Sequence, residues 1–123
     1  MQAAENPPEI SLLRVVAIVR PHRLEAVKSA VAALGISGMN VTDVRGAGNS
    51  PEAPSWFGNE EVVIPLPIKA RLEVVISDDL CEPVITSILE TARTGEPGDG
   101  KIFVERVADA IRIRTGERGN AAI

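Results

Sequence analysis

The chain has 123 residues, of which 45% are hydrophobic and 24% are charged, a balance typical of one folded domain and not of a disordered segment. Its 13 lysines and arginines against 17 aspartates and glutamates give a net charge of −4, so we expect neither nucleic acid nor an anionic membrane as the main partner. A single cysteine and a single histidine exclude an internal disulfide and a tetrahedral cysteine–histidine metal site.

The N-terminal residues 1–11 are polar and contain two prolines, and we expect a flexible leader followed by a single domain over residues 12–123. This stretch does not resemble a secretion signal, and the sequence contains no apolar run long enough for a membrane-spanning helix. We therefore expect a cytoplasmic protein with no direct membrane insertion.

Hydrophobic periodicity predicts strand, helix and strand in the first part of the chain. Leu12–Val19 is apolar at all but one position, which predicts a strand buried on both faces. From Arg23 the apolar residues recur at helical spacing until Gly35, which predicts an amphipathic helix. Residues 39–47 then carry β-branched residues and predict a second strand.

Residues 48–67 are rich in glycine, proline, asparagine and serine, and we predict a long loop with no packed element. A loop of about twenty residues in a small domain is usually functional or disordered. Trp56 and Phe57 lie at its middle. Their rings either fold back on the domain or form an exposed anchor for a partner protein, and we favour the anchor because aromatic residues often dominate binding energy.

The second half repeats the same order. Residues 69–76 alternate between apolar and polar side chains, which predicts a half-buried strand. A helix with one apolar stripe follows, and its stripe consists of Val84, Ile85, Ile88, Leu89 and Ala92. A glycine-rich loop at 94–101 leads into a strand at 101–105, and a last short strand is predicted at 111–114.

The order β-α-β-β-α-β predicts an α+β, ferredoxin-like sandwich, in which two helices cover one face of an antiparallel sheet. Because the first strand is apolar on both sides, we expect the other face of the sheet to pack against other subunits.

The loop Thr94-Gly95-Glu96-Pro97-Gly98-Asp99-Gly100-Lys101 is predicted to bind phosphate. Its glycines let backbone N–H groups approach an anion, and its lysine adds positive charge at the rim. The loop is not a P-loop, because a strand and not a helix follows the lysine. An ordinary glycine-rich turn is the alternative.

Two arginines near the C-terminus are the second candidate for phosphate binding. Strand alternation over 111–114 would place Arg112 and Arg114 on one face, about 7 Å apart, which suits a polyphosphate. A solvated, salt-bridged face is the alternative for such a pair.

The octapeptide of the loop, the run Ile111-Arg112-Ile113-Arg114-Thr115-Gly116-Glu117 and the closing Ala121-Ala122-Ile123 closely resemble the C-terminal half of the nitrogen-regulatory PII signalling proteins. Arg20-Pro21 and Gly35-Ile36-Ser37-Gly38-Met39 extend the resemblance over residues 12–123. It implies a compact homotrimer that binds an adenine nucleotide (ATP, ADP or AMP) between subunits and regulates a partner protein through its long loop. We expect no enzymatic activity, because His22 has no identifiable serine or cysteine partner and the loop shows no provider of the positioned water and metal that nucleotide hydrolysis needs.

The resemblance also implies which residues form the nucleotide site. The glycine loop and the two arginines would contact the phosphates, the glycines at the base of the long loop would close on the nucleotide, and three further positions would lie beside the base and ribose. The set is Asn40, Gly46, Gly48, Glu73, Val75, Gly98, Asp99, Gly100, Lys101, Arg112 and Arg114.

The start of the long loop departs from the family's usual Gly-x-Gly-Arg-Gln, since this chain reads Gly46-Ala47-Gly48-Asn49-Ser50. Asn49 has no charge to pair with a phosphate, and Ser50 replaces the glutamine that helps to hold magnesium with 2-oxoglutarate. Lys69 matches the lysine that meets the 2-oxoglutarate carboxylate. Lys69 and Asn49 are therefore assigned to a site for a second effector.

We expect that second effector to be a small anion such as bicarbonate, with no tightly bound metal. The chain has no tyrosine, so the uridylylation known at the family's loop tyrosine cannot occur. The regulated partner is expected to be a transporter or a metabolic enzyme. The alternatives are a structural interaction module of the same fold that needs no nucleotide, and a slow nucleotidase.

Overall fold

The computed structural model describes residues 10–46 and 66–123, and the backbone of residues 55–57 and 61–63. Nearly all of the predicted leader lies outside these residues. The described strands are β1 (Leu12–Val19), β2 (Met39–Arg45), β3 (Ser55–Phe57), β4 (Glu61–Val63), β5 (Ile68–Ser77) and β6 (Lys101–Val107). The helices are α1 (Leu24–Ala32) and α2 (Cys81–Ala92).

Four strands form one antiparallel sheet in the order β2-β5-β1-β6. The two central strands, β1 and β5, are adjacent although the first helix and β2 separate them in sequence, as the ferredoxin-like topology requires. The predicted α+β fold is therefore confirmed, whereas subunit packing remains a prediction. Neither described helix is long and apolar enough to cross a membrane.

The core lies between the two helices and one face of this sheet. In β5 every second side chain from Ala70 to Ile76 is buried, because successive residues of a strand point to opposite faces. The buried stripe of α1 and the buried stripe of α2 pack against that face. Val27 and Val84 lie at the centre of these stripes, each 0% exposed.

The opposite face of the sheet carries a network of charges across three strands. Glu73 in β5 pairs with Arg71 through a 2.8 Å hydrogen bond. Arg14 in β1 lies with its Nε 2.6 Å from Glu73, as an ion pair and not as an aligned hydrogen bond, and 3.7 Å from Glu105 in β6. Phe103 stands beside this network and is 51% exposed. This face is the one we predicted to pack against other subunits.

The prediction of no packed element in residues 48–67 is wrong. β3 and β4 form an antiparallel hairpin within this segment, with Trp56 opposite Val62. Tryptophan, phenylalanine and valine favour the extended backbone, and the glycines and prolines flank these short runs without interrupting them.

The predicted strand at 111–114 is also wrong. Only Ile111 makes a β-bridge, with Arg118, and residues 113–115 form a turn. The strand boundaries moved by about two residues elsewhere, since β2 ends at Arg45 and β6 continues to Val107.

Candidate functional site

The glycine loop at 94–101 connects α2 to β6 and depends on its glycines for its path. Gly95, Gly98 and Gly100 have φ values of +90°, +98° and +103°, which L side chains rarely adopt. Gly100 also has no room for a side chain, because a Cβ there would lie 1.7 Å from the backbone oxygen of Ile18. The loop is therefore pressed against the end of β1.

Asp99 holds the loop in shape from within. Its carboxylate accepts hydrogen bonds from the Thr94 hydroxyl at 2.5 Å, the Thr94 backbone N–H at 2.8 Å and the Gly95 backbone N–H at 2.9 Å. The Thr94 hydroxyl, and then backbone N–H groups and Arg20, hold the pKa of Asp99 well below its ordinary value, against the opposing effect of burial. Its side chain thus organises the loop, and a phosphate would meet the loop's backbone.

Arg20 fixes the loop from outside. Its Nε donates to Asp99 at 3.0 Å and its Nη2 donates to the Pro97 carbonyl at 2.5 Å. In the sequence, Arg20 stands out only as part of the Arg20-Pro21 motif, and no local pattern indicates that it contacts the glycine loop. The planar fork of a guanidinium reaches two acceptors at once, and the second acceptor lies 77 residues further along the chain.

Two further predicted residues lie near the glycine loop at this end of the sheet. Lys69, at the start of β5, donates from Nζ to the Gly98 carbonyl at 2.9 Å. Gly46, at the end of β2, donates to the Pro67 carbonyl at 3.2 Å and so closes the base of the long loop. Lys101 is exposed as the first residue of β6. The structure thus brings the glycine loop, its lysine and Lys69 to one end of the sheet.

The three residues predicted beside the base and ribose share a second location. Asn40, Glu73 and Val75 all line a cavity of about 550 Å³, together with the turn at residues 35–38. Ile123, the last residue of the chain, contributes to the same cavity. Glu73 is already engaged by two arginines, so its acceptor capacity is partly used.

Arg112 and Arg114 lie in a turn that we call the C-terminal tip, residues 111–118. Within it the Gly116 N–H donates to the Arg112 carbonyl at 2.7 Å and the Arg112 N–H donates to the Glu117 carbonyl at 2.9 Å. Arg112 also pairs with Glu117 at 3.2 Å. The prediction that the two arginines lie on one face of a strand is therefore wrong, because residues 113–115 form a turn.

The base of the C-terminal tip is held by Asp109. Its carboxylate accepts from Arg118 Nε at 2.8 Å and from the backbone of Ala110 and Gly119 at 2.8 and 3.1 Å. The Arg118 guanidinium, and then these backbone donors, hold the pKa of Asp109 below its ordinary value. The tip is a braced structure and not a loose tail.

The tip and the glycine loop lie at opposite ends of the sheet. Lys101 pairs with Ile18, whereas Val107, after which the chain leaves β6 toward the tip, pairs with Leu12. Six strand residues separate these positions, which corresponds to about 20 Å. One protomer therefore does not bring Arg112 and Arg114 to Lys101.

Residues 12–117 match the family described as Nitrogen regulatory protein P-II. The chain belongs to this P-II family. It is 48% identical over 120 residues to the P-II homolog of Arabidopsis thaliana, covering 94% of this chain and 59% of that protein. It is 42% identical over 110 residues to P-II 1 of Escherichia coli strain K12, covering 89% of this chain and 98% of that protein.

The fold agrees with a solved P-II structure. The crystal structure of Arabidopsis thaliana PII bound to citrate has a TM-score of 0.72 and 45% identity, and covers 94% of this chain and 95% of that one. This match and the sequence relatives confirm the family resemblance inferred from the glycine loop and the C-terminal motif.

Several predicted P-II positions lie outside the described residues. These are Gly48, Asn49 and Ser50, and the side chains of Trp56 and Phe57. Among the residues that the structure describes, no group of three or more histidine, cysteine or acidic side chains is arranged to hold a metal ion. His22 is exposed in the short turn before α1.

Proposed function

We propose that this P-II protein is a homotrimeric, cytoplasmic sensor that binds an adenine nucleotide between subunits and regulates a partner protein. The single observation that carries the proposal is the glycine loop, which Arg20 and Asp99 hold in a backbone conformation with an exposed lysine at its end. A preformed, glycine-rich backbone with an adjacent cation suits the phosphates of a nucleotide.

The separation of the predicted residues supports a site shared by two protomers. Lys101 lies about 20 Å along β6 from the end that leads to the C-terminal tip, so both can contact one nucleotide only if a second copy supplies Arg112 and Arg114. The nucleotide site would then be complete only in an oligomer, because no single chain brings all the predicted residues together.

The cavity lined by Asn40, Glu73 and Val75 is the candidate place for the base and ribose. Its volume of about 550 Å³ lies within the range of small-molecule pockets.

The site for a second effector centres on Lys69. Its Nζ already binds the Gly98 carbonyl, so a small anion such as bicarbonate would compete with the glycine loop for this lysine. The citrate named in the Arabidopsis PII structure is a carboxylate anion, which agrees with an anionic effector. Asn49 is the second proposed contact for this anion.

The long loop at 48–67 is proposed to bind the regulated partner, a transporter or a metabolic enzyme. The first strand of the β3–β4 hairpin contains Trp56 and Phe57, which are the residues proposed to contact the partner. Nucleotide binding at the loop base would change the population of the docking conformation. We assign no catalytic role to this protein.

The proposal is tested by calorimetric titration with ATP, ADP and AMP, each with and without bicarbonate or 2-oxoglutarate. Lys101→Ala should weaken nucleotide binding by about 10- to 100-fold, since a charge-assisted hydrogen bond contributes about 1.5–3 kcal/mol. Lys28→Ala is the matched control, because Lys28 is a surface lysine on α1 paired with Glu25.

Thermal unfolding distinguishes this function from a constitutive interaction module. A nucleotide at one hundred times its dissociation constant should add about 2.7 kcal/mol to the stability of the native protein. No stabilisation by any of the three nucleotides would refute the sensor and favour the module. Phosphate release that Lys101→Ala abolishes would instead indicate a nucleotidase.

A further inference from the structure

The C-terminal tip exposes an isoleucine completely. Ile113 is 100% exposed, and Ile111 beside it is 55% exposed. Apolar side chains are common on protein surfaces, but this one lies at the end of a turn that two backbone hydrogen bonds and the Asp109–Arg118 pair hold rigid. A rigid turn that presents one aliphatic side chain loses little conformational entropy when that side chain becomes buried.

A hollow of complementary character lies between α2 and β6, and we call it the α2–β6 hollow. It has a volume of about 430 Å³. Its lining is mainly aliphatic and includes Ile85, Leu89, Ala92, Ile102 and Val104. Two of these side chains face solvent, with Leu89 41% exposed and Val104 44% exposed.

The α2–β6 hollow borders the glycine loop. Gly100 and Lys101 form part of its lining. Arg112 and Arg114 flank Ile113 in the sequence, and these are the residues that the proposed site needs beside Lys101. A second copy that brings its arginines to Lys101 therefore brings its Ile113 to the edge of the hollow.

We propose that Ile113 of one protomer inserts into the α2–β6 hollow of the next protomer. This inference rests on the proposed shared nucleotide site and adds the apolar contact that would hold the two protomers in register there. The occupant is a second copy of this chain. Its own tip does not reach the part of the hollow beside the glycine loop, because Lys101 there lies about 20 Å along β6 from Val107, after which the chain leaves toward the tip.

The proposed contact fills every tip and every hollow in a closed ring, in which the tip of each protomer enters the hollow of the next. A two-fold dimer could also exchange its two tips, because residue i then contacts residue j on both sides of the axis. The proposed number of three protomers therefore comes from the proposed function and not from this contact.

Cross-linking between cysteines tests the contact directly. In a Cys81→Ser background, a chain with Ile113→Cys is co-expressed with a chain with Leu89→Cys, and the assembly is treated with a short thiol cross-linker. We expect a cross-linked dimer of unlike chains on denaturing gels. The matched control replaces Leu89→Cys by Glu90→Cys, because one residue along α2 turns the side chain by about 100° away from the hollow.

A second test uses charge. Ile113→Glu should raise the dissociation constant of the oligomer by about 10- to 100-fold, measured by light scattering over a dilution series. Because Ile113 is wholly exposed in the protomer, this substitution should not unfold it, as circular dichroism would verify. Adding Leu89→Lys should restore part of the association.

The outcomes separate this inference from the proposed function. A wild-type trimer that binds nucleotide but gives no Ile113–Leu89 cross-link, or cross-links Glu90→Cys equally, overturns only the insertion of Ile113. Cross-linking without any nucleotide binding supports the insertion and refutes the sensor. A monomeric wild-type protein refutes both.

Discussion

Replacing Gly100 by alanine should destabilise the protein more than replacing Gly95, another glycine of the same loop, by alanine. An alanine at φ +103° costs about 1–2 kcal/mol in backbone energy alone. Its Cβ would also lie 1.7 Å from the Ile18 carbonyl oxygen, when contacts under 3.0 Å are essentially never seen. The end of β1 or the loop must therefore move by more than 1 Å, and such overpacking costs about 1–3 kcal/mol more.

Gly95→Ala is the matched control for this experiment. Gly95 has a similar φ of +90°, but nothing lies within 4 Å of the position of its added Cβ. It should therefore show only the backbone cost of about 1–2 kcal/mol. The difference between the two variants isolates the steric contact between the loop and β1.

Urea unfolding at a fixed protein concentration measures both variants. With a denaturant slope of about 1–3 kcal/mol per molar urea, the midpoint of Gly100→Ala should fall by on the order of 1–2 M relative to wild type, and that of Gly95→Ala by clearly less. Equal midpoints for the two variants would refute the argument that the loop is pressed against Ile18. If Gly100→Ala keeps the nucleotide affinity of wild type, nucleotide binding does not depend on the backbone conformation of the glycine loop.

Three further predictions concern the residues around the loop. Thr94→Val should raise the pKa of Asp99 toward its ordinary value of about 3.9, as measured by carboxyl NMR. Because the pKa of Asp99 is lower in the folded than in the unfolded protein, Asp99 stabilises the fold fully above about pH 4 and loses this effect as the pH falls through the folded pKa. In the variant, whose folded pKa is higher, this loss should be complete at a higher pH than in wild type. Arg20→Lys should speed amide hydrogen exchange in the glycine loop, because a lysine lacks the planar fork that reaches two acceptors; unchanged exchange would contradict its role. Lys69→Met should leave the sheet intact but free the Gly98 carbonyl and weaken binding of an anionic effector, measured by calorimetry; full affinity would remove Lys69 from that site.

The strands and helices of the sandwich could be predicted from local patterns because burial repeats with a fixed period in each. The alternation in β5 and the apolar stripe of α2 both reflect one buried face. The predicted end of β2 was two residues too late, since the last paired residue depends on where the neighbouring strand begins.

The run at 111–114 shows where a pattern is insufficient. Alternating isoleucine and arginine fit a strand, but a strand also needs a partner along its length, and here only Ile111 is bridged. The chain instead turns so that Arg112 bonds to Glu117. Residues 48–67 show the reverse error, because β3 and β4 supply each other's partner within a segment that composition assigned to a loop.

By itself the sequence determined the sandwich, the glycine loop and the family, because these follow from periodicity and from residue types at fixed spacing. Only the tertiary structure decided that Arg20 binds Asp99, that Lys69 binds Gly98 and that the C-terminal tip lies far from Lys101. Such contacts join residues far apart in the chain. Their geometry depends on how the elements pack, and no local pattern encodes that packing.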